Sequence, residues 1–87
     1  MADRKWHVWR KEESREDART VDAHDFEDAA EEWAEQEDLS SAEYAIVAQR
    51  EVPIVSVASH GWGNETEVRT FRVRGEAVPS YSAEEQS

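Results

Sequence analysis

Within Asp25 to Asp38 the apolar residues Phe26, Ala29, Ala30, Trp33 and Ala34 fall at i, i+3, i+4, i+7 and i+8. That spacing lays one apolar stripe along one side of an α-helix. The segment reads as the only helix in the chain. Its alanines allow close approach to a sheet, with Phe26 and Trp33 as large anchors. Asp25 suits the N-cap, where its side chain can accept from a free backbone N–H two or three residues on. The helix is expected to end near Asp38, with Ser40 and Ser41 opening the exit turn.

The other regular segments read as strands. Lys5 to Lys11 alternates, with Trp6 and Val8 on one side and His7 and Trp9 on the other. Glu12 to Ala18 is a charged connector, and Arg19 to His24 is a second strand. Tyr44 to Arg50, Val52 to Ser59 and Glu67 to Arg74 are further β-rich runs, with Pro53 confined to a strand start or an edge. His60 to Asn64 is a turn, in which Gly61, Gly63 and Asn64 can take positive φ. Gly75 and Glu76 turn the chain, and Ala77 to Tyr81 can add a short edge strand. The fold class expected is α+β. One acidic amphipathic helix packs on one face of an antiparallel sheet of about five strands, in the order β-β-α-β-β-β. Residues 1–81 form one domain in this reading, and 82–87 a flexible tail.

A chain of 87 residues buries about 60% of the surface its unfolded form exposes, so its stability is modest. Four tryptophans and two phenylalanines suffice for one small core. Without cysteine there are no disulfides, thiolate metal sites or cysteine nucleophiles, which suits a cytoplasmic protein. Met1 to Trp6 has no apolar stretch of the kind a signal peptide needs. The longest strongly apolar run, Tyr44 to Ala48, is far short of the roughly 20 residues that span a bilayer.

Charge is distributed unevenly. Thr20 to Gln49 contains ten carboxylates and no lysine or arginine, while the other 57 residues hold eleven acids and all ten bases. Nearly all of the net charge of −11 therefore sits around the helix. Its outer face carries Glu27, Asp28, Glu31, Glu32, Glu35 and Asp38, with Glu37 at the edge. The like-charged pairs Glu27–Glu31, Asp28–Glu32 and Glu31–Glu35 each cost about 0.2–0.5 kcal/mol. Acids in the last turn oppose the helix dipole by about 0.3–1 kcal/mol each. Helix stability alone would favour some basic residues here, so the charge has a use in this reading. Successive turns rise about 5.4 Å, and duplex DNA presents one charge per about 1.7 Å of axis. Both are rods of dense negative charge, and a groove lined by lysine and arginine attracts either. An acidic surface is repelled by phosphate backbones and anionic lipid, so neither nucleic acid nor membrane is its expected partner.

Other candidates are weaker. Trp62, between two glycines, is either an interface anchor or folded back over the sheet edge. One of Trp6 and Trp9 is exposed if only one sheet face is covered. Arg4, Lys5, Arg10, Lys11, Arg15 and Arg19, with Arg69, Arg72 and Arg74, read as charge balance on the sheet's solvent face. His7, His24 and His60 share no ligand spacing. Asp25, Asp28 and Glu32 do not match a calcium loop. No phosphate loop or nucleophile motif is present, so the chain reads as non-enzymatic, without cofactor or metal.

Small size, absence of cysteine and the stretch D-F-E-D-A-A-E-E-W-A-E-Q-E-D, Asp25 to Asp38, make the chain resemble the small acidic anti-CRISPR proteins of phages, some of which mimic DNA. That class has no shared motif, so the resemblance is one of overall character. It implies a monomeric inhibitor in the host cytoplasm. Its partner would be the basic DNA-binding surface of a protein, such as the DNA-sensing subunit of a CRISPR–Cas surveillance complex. Glu27, Asp28, Glu31, Glu32, Glu35 and Asp38 would make the contacts, with Trp62 as a further candidate. The alternative is a small accessory domain of a high-GC or halophilic organism, whose acidic helix is only a solvated face.

Overall fold

The structure, a computed structural model, describes residues 3–41, Ile46, Ala48, 51–63, 67–77 and 80–86. Among the described residues, five strands, β1 (Arg4–Arg10), β2 (Arg19–Ala23), β3 (Ile54–Ser59), β4 (Val68–Ala77) and β5 (Ser80–Gln86), and one α-helix, α1 (Phe26–Ser41), make an α+β fold. The sheet order is β2-β1-β3-β4-β5, antiparallel throughout. Because β2 and β3 both run antiparallel to β1, they are parallel to each other. The connection through α1 is therefore a crossover that straddles β1, which a strand list in sequence order does not show.

Alternation decides the faces. Trp6 pairs with Val21 and Ser59, and Val8 with Val57. Phe71 pairs with Val55, and Val73 with Ala83. Trp6, Val8, Val21, Val55, Val57, Phe71 and Val73 meet Ala29, Ala30, Trp33 and Ala34 of α1 in a single core, with Ala83 packed against it. Each large apolar side chain buried this way contributes about 1.5–3 kcal/mol. The three alanines are fully buried, so the helix backbone lies close to the strands. Trp6 is the pivot, with edge contacts to Phe26 (centroids 4.6 Å apart) and Trp62 (4.7 Å). Its Nε1 donates to Ala23 O at 2.8 Å.

The strand inventory departs from expectation in three places. In the run Tyr44 to Arg50, the described residues Ile46 and Ala48 are in turns, and the others lie outside the described residues. Ile46 is fully buried in the core, so its hydrophobicity serves burial and not a ladder. β4 continues through Gly75 and Glu76 to Ala77, with a register irregularity there in place of the expected turn. The expected flexible tail at 82–87 is strand through Gln86, and Ser87 lies outside the described residues. The pattern of β5 is weakly apolar because only Tyr81 and Ala83 touch the core, and those two from its periphery.

Trp6 and Trp9 are both buried, although they face opposite sides. The β1–β2 connector forms a 3-10 turn at Arg15–Asp17 and folds back over the outer sheet face. There the Arg15 guanidinium lies 5.6 Å from the Trp9 ring centroid, and its Nη2 donates to Ser59 O at 3.5 Å. Pro53 immediately precedes β3, and Gly61 and Gly63 take positive φ of 74° and 57° in the β3–β4 connection.

Candidate acidic face of the helix

α1 starts as its first residues dictate. Asp25 Oδ1 accepts from Asp28 N–H at 2.7 Å, the N-cap bond expected of this residue. Asp28 Oδ2 reaches back to the His24 N–H at 3.4 Å, close to a capping-box arrangement. The His24 ring lies between the two carboxylates, 3.3 Å from Asp25 and 3.1 Å from Asp28.

Further along, Glu27, Asp28, Glu31, Glu32 and Glu35 share the surface of α1 away from the core. Glu27 is exposed and the other four are half-buried. Asp28, Glu31, Glu32, Glu35 and Tyr81 line a shallow hollow of about 190 Å³. Burial raises the Glu31 carboxyl above the ordinary range. The Ala83 N–H opposes that rise, and Glu27, Asp28 and Asp25 add to it. Burial also raises Glu32, opposed by its bond to Gln36 (3.5 Å) and reinforced by Glu35, Asp28 and Asp3. Burial and like-charged neighbours thus both disfavour the charged form of two carboxyls on this surface, and one hydrogen bond each works the other way.

Not every acid on the helix belongs to that surface. Asp38, expected among the contacts, is completely buried. Its Oδ1 accepts from Ile46 N–H at 3.0 Å and its Oδ2 from the Tyr81 hydroxyl at 2.8 Å. It tethers the end of α1 to the chain that follows and to β5, so no partner can reach it. Glu37 turns to the sheet, 3.0 Å from Arg19 and 3.8 Å from Arg10. Arg10 also pairs with Glu51 and lies 5.2 Å from the Trp33 ring centroid. Burial lowers the basicity of Arg10, but Glu51, Glu37 and Glu12 outweigh it and hold the guanidinium above its ordinary pKa. The opposition of Glu37 and Asp38 to the helix dipole is therefore offset by partners outside the helix. Glu31 also has a structural duty, because its Oε2 accepts from Ala83 N–H at 3.2 Å. Ala83 pairs with Val73 of β4, and Glu31 satisfies an edge donor that would otherwise be open to another strand.

Trp62 folds back over the sheet. It is half-buried against Trp6 at an interplanar angle of 89°, its Nε1 donates to Lys5 O, and Arg4 lies 4.7 Å over its ring. At the start of the helix Arg69 covers Phe26 (4.5 Å) and pairs with Glu67 (2.9 Å), so a cation bounds the acidic surface there.

Comparison with family models, with curated proteins and with solved structures returns no match. The fold also joins two residues that sequence spacing keeps apart. His7 and His60 meet on the outer sheet face, brought together by the β1–β3 register. Only knowledge of that register could have paired them.

Proposed function

We propose that this chain is a non-enzymatic inhibitor that offers the acidic face of α1 to the basic, DNA-binding surface of a nucleic-acid-handling protein, in the manner of a DNA mimic. A subunit that senses DNA in a CRISPR–Cas complex is the partner class suggested by the anti-CRISPR resemblance. The supporting observation is the run of Glu27, Asp28, Glu31, Glu32 and Glu35 on one solvent-facing surface, where burial and like neighbours raise the Glu31 and Glu32 carboxyls. A basic groove relieves this repulsion, and the gain scales with the charge it meets.

The test uses Glu27→Lys/Glu32→Lys/Glu35→Lys, which spares the structural Glu31, Glu37 and Asp38. Immobilised wild type and variant are exposed to lysate of a CRISPR-bearing bacterium, and bound proteins are eluted with duplex DNA. Nucleic-acid-binding proteins retained by the wild type alone and released by DNA are the expected result. Equal retention by both chains would leave the helix as a solvated face and sink the proposal.

A further inference from the structure

On the side of the sheet away from α1, His7 Nε2 and His60 Nδ1 lie within hydrogen-bonding distance, with ring centroids 4.2 Å apart and ring planes at 54°. Trp6 faces Ser59, so His60 comes opposite Lys5, and the His60 N–H donates to Lys5 O at 3.2 Å. The two imidazoles therefore stand as diagonal neighbours on adjacent strands. A neutral imidazole presents a lone pair on one ring nitrogen when the proton sits on the other. With the protons on the far nitrogens, the two near nitrogens present imidazole lone pairs side by side, the donor type that zinc, copper and nickel prefer, and calcium and magnesium do not.

We propose that His7 and His60 form a two-imidazole site for a divalent transition ion of this class, one that pins the β3–β4 connection to β1. Two nitrogens on one tetrahedral zinc, each at 2.0–2.1 Å, stand about 3.3 Å apart. The rings must part slightly from their present contact to admit the ion. His60 can supply that movement, because it is exposed and leads into Gly61 and Gly63, both at positive φ.

The neighbouring cations are directed elsewhere. Lys5 Nζ is bound to Asp22 at 3.0 Å, and Arg15 is engaged with Trp9 and Ser59 O. No group of three metal-ligating side chains occurs among the described residues, so water completes the shell, and the site exchanges its ion readily. The net charge of −11 raises the local concentration of any cation.

His24, between Asp25 and Asp28, is the competing imidazole and the control. Zn2+ is titrated calorimetrically, in a buffer that does not bind it, into the wild type, His60→Ala and His24→Ala. One ion per chain is expected, with affinity about tenfold or more weaker in His60→Ala, since even outer-shell changes act on that scale. His24→Ala should bind as the wild type does. In NMR spectra Zn2+ should shift the ring protons of His7 and His60 and leave those of His24. Absence of binding to the wild type, retention by His60→Ala, or loss in His24→Ala would each overturn the assignment.

Discussion

Replacing Asp38 with alanine tests whether a buried carboxylate organises this small fold. The side chain is fully buried and accepts from Ile46 N–H (3.0 Å) and from the Tyr81 hydroxyl (2.8 Å). A hydrogen bond contributes about 0.5–1.5 kcal/mol, and a buried donor left without an acceptor costs about 1–3 kcal/mol. Tyr81 is only half-buried and can turn to water, whereas the Ile46 amide cannot. The expected loss is therefore about 3 kcal/mol, not the full sum. At 87 residues each kcal/mol shifts the melting midpoint by about 4–8 °C, so Asp38→Ala should melt about 12–24 °C below the wild type. Circular dichroism melts of Asp38→Ala, Tyr81→Phe and the double variant give the coupling directly. The double variant should lose at least about 0.5 kcal/mol less than the sum of the two single losses. Glu35→Ala, on the surface of the same helix, should stay within about 0.5 kcal/mol of the wild type. An Asp38→Ala midpoint indistinguishable from that of Glu35→Ala would refute the reasoning.

Three further outcomes follow from the same contacts. The folded-state carboxyls of Glu31 and Glu32 are raised, so the folded chain binds these protons more tightly than the unfolded one. Their contribution to stability is therefore gained as pH falls through the raised values toward the unfolded carboxylate range and lost as pH rises again. Glu32→Gln should accordingly flatten this part of a denaturant-measured pH profile and stabilise the neutral protein by about 0.5 kcal/mol at low salt, a gain that shrinks as salt screens it. Glu37→Gln leaves Arg19 and Arg10 without their shared carboxylate and should cost about 1 kcal/mol, less in high salt; a salt-independent loss would point to packing instead. Deleting 82–87 removes the pairing of β5 with Thr70 to Arg74 and the partner of Glu31. A truncated chain that melts within about 3 °C of the full one would show that β5 adds little, whereas loss of the cooperative transition is expected.

How far the sequence could be read depends on which signals are local. The stripe from Phe26 to Ala34 and the cap at Asp25 are set by residues within a few positions of one another, and both appear as expected. The alternation in β1 likewise placed Trp6 and Val8 together. The failures are non-local. Asp38 looked like one more surface acid because its partners, Ile46 and Tyr81, are 8 and 43 residues away. Ser80 and Tyr81 of β5 lay in the expected edge strand, but 82–86 looked like a tail because S-Y-S-A-E-E-Q offers the core only two side chains. One of Trp6 and Trp9 was expected to be exposed if only one sheet face were covered, because nothing in β1 announces that Arg15 will fold over Trp9. The meeting of His7 and His60 required a strand register that pairs positions about fifty residues apart.

These contacts also change the arithmetic of the acidic helix. Of the eight acids from Asp25 to Asp38, Asp25 and Asp28 serve the helix start, Glu31 covers the β5 edge, Glu37 pairs with two arginines, and Asp38 is interred. Glu27, Glu32 and Glu35 remain, and among the described residues their one side-chain hydrogen bond is the long one from Gln36 to Glu32. Repulsion among like charges one turn apart means that folding alone would prefer other residues at these three positions. Charge reversal there should leave the melting midpoint unchanged or raise it. A concurrent loss of partner capture would separate binding from stability, because the variant that binds worse would be the one that folds at least as well. If reversal instead destabilised the chain, the three glutamates would have structural roles of their own, and the excess charge would no longer argue for a partner.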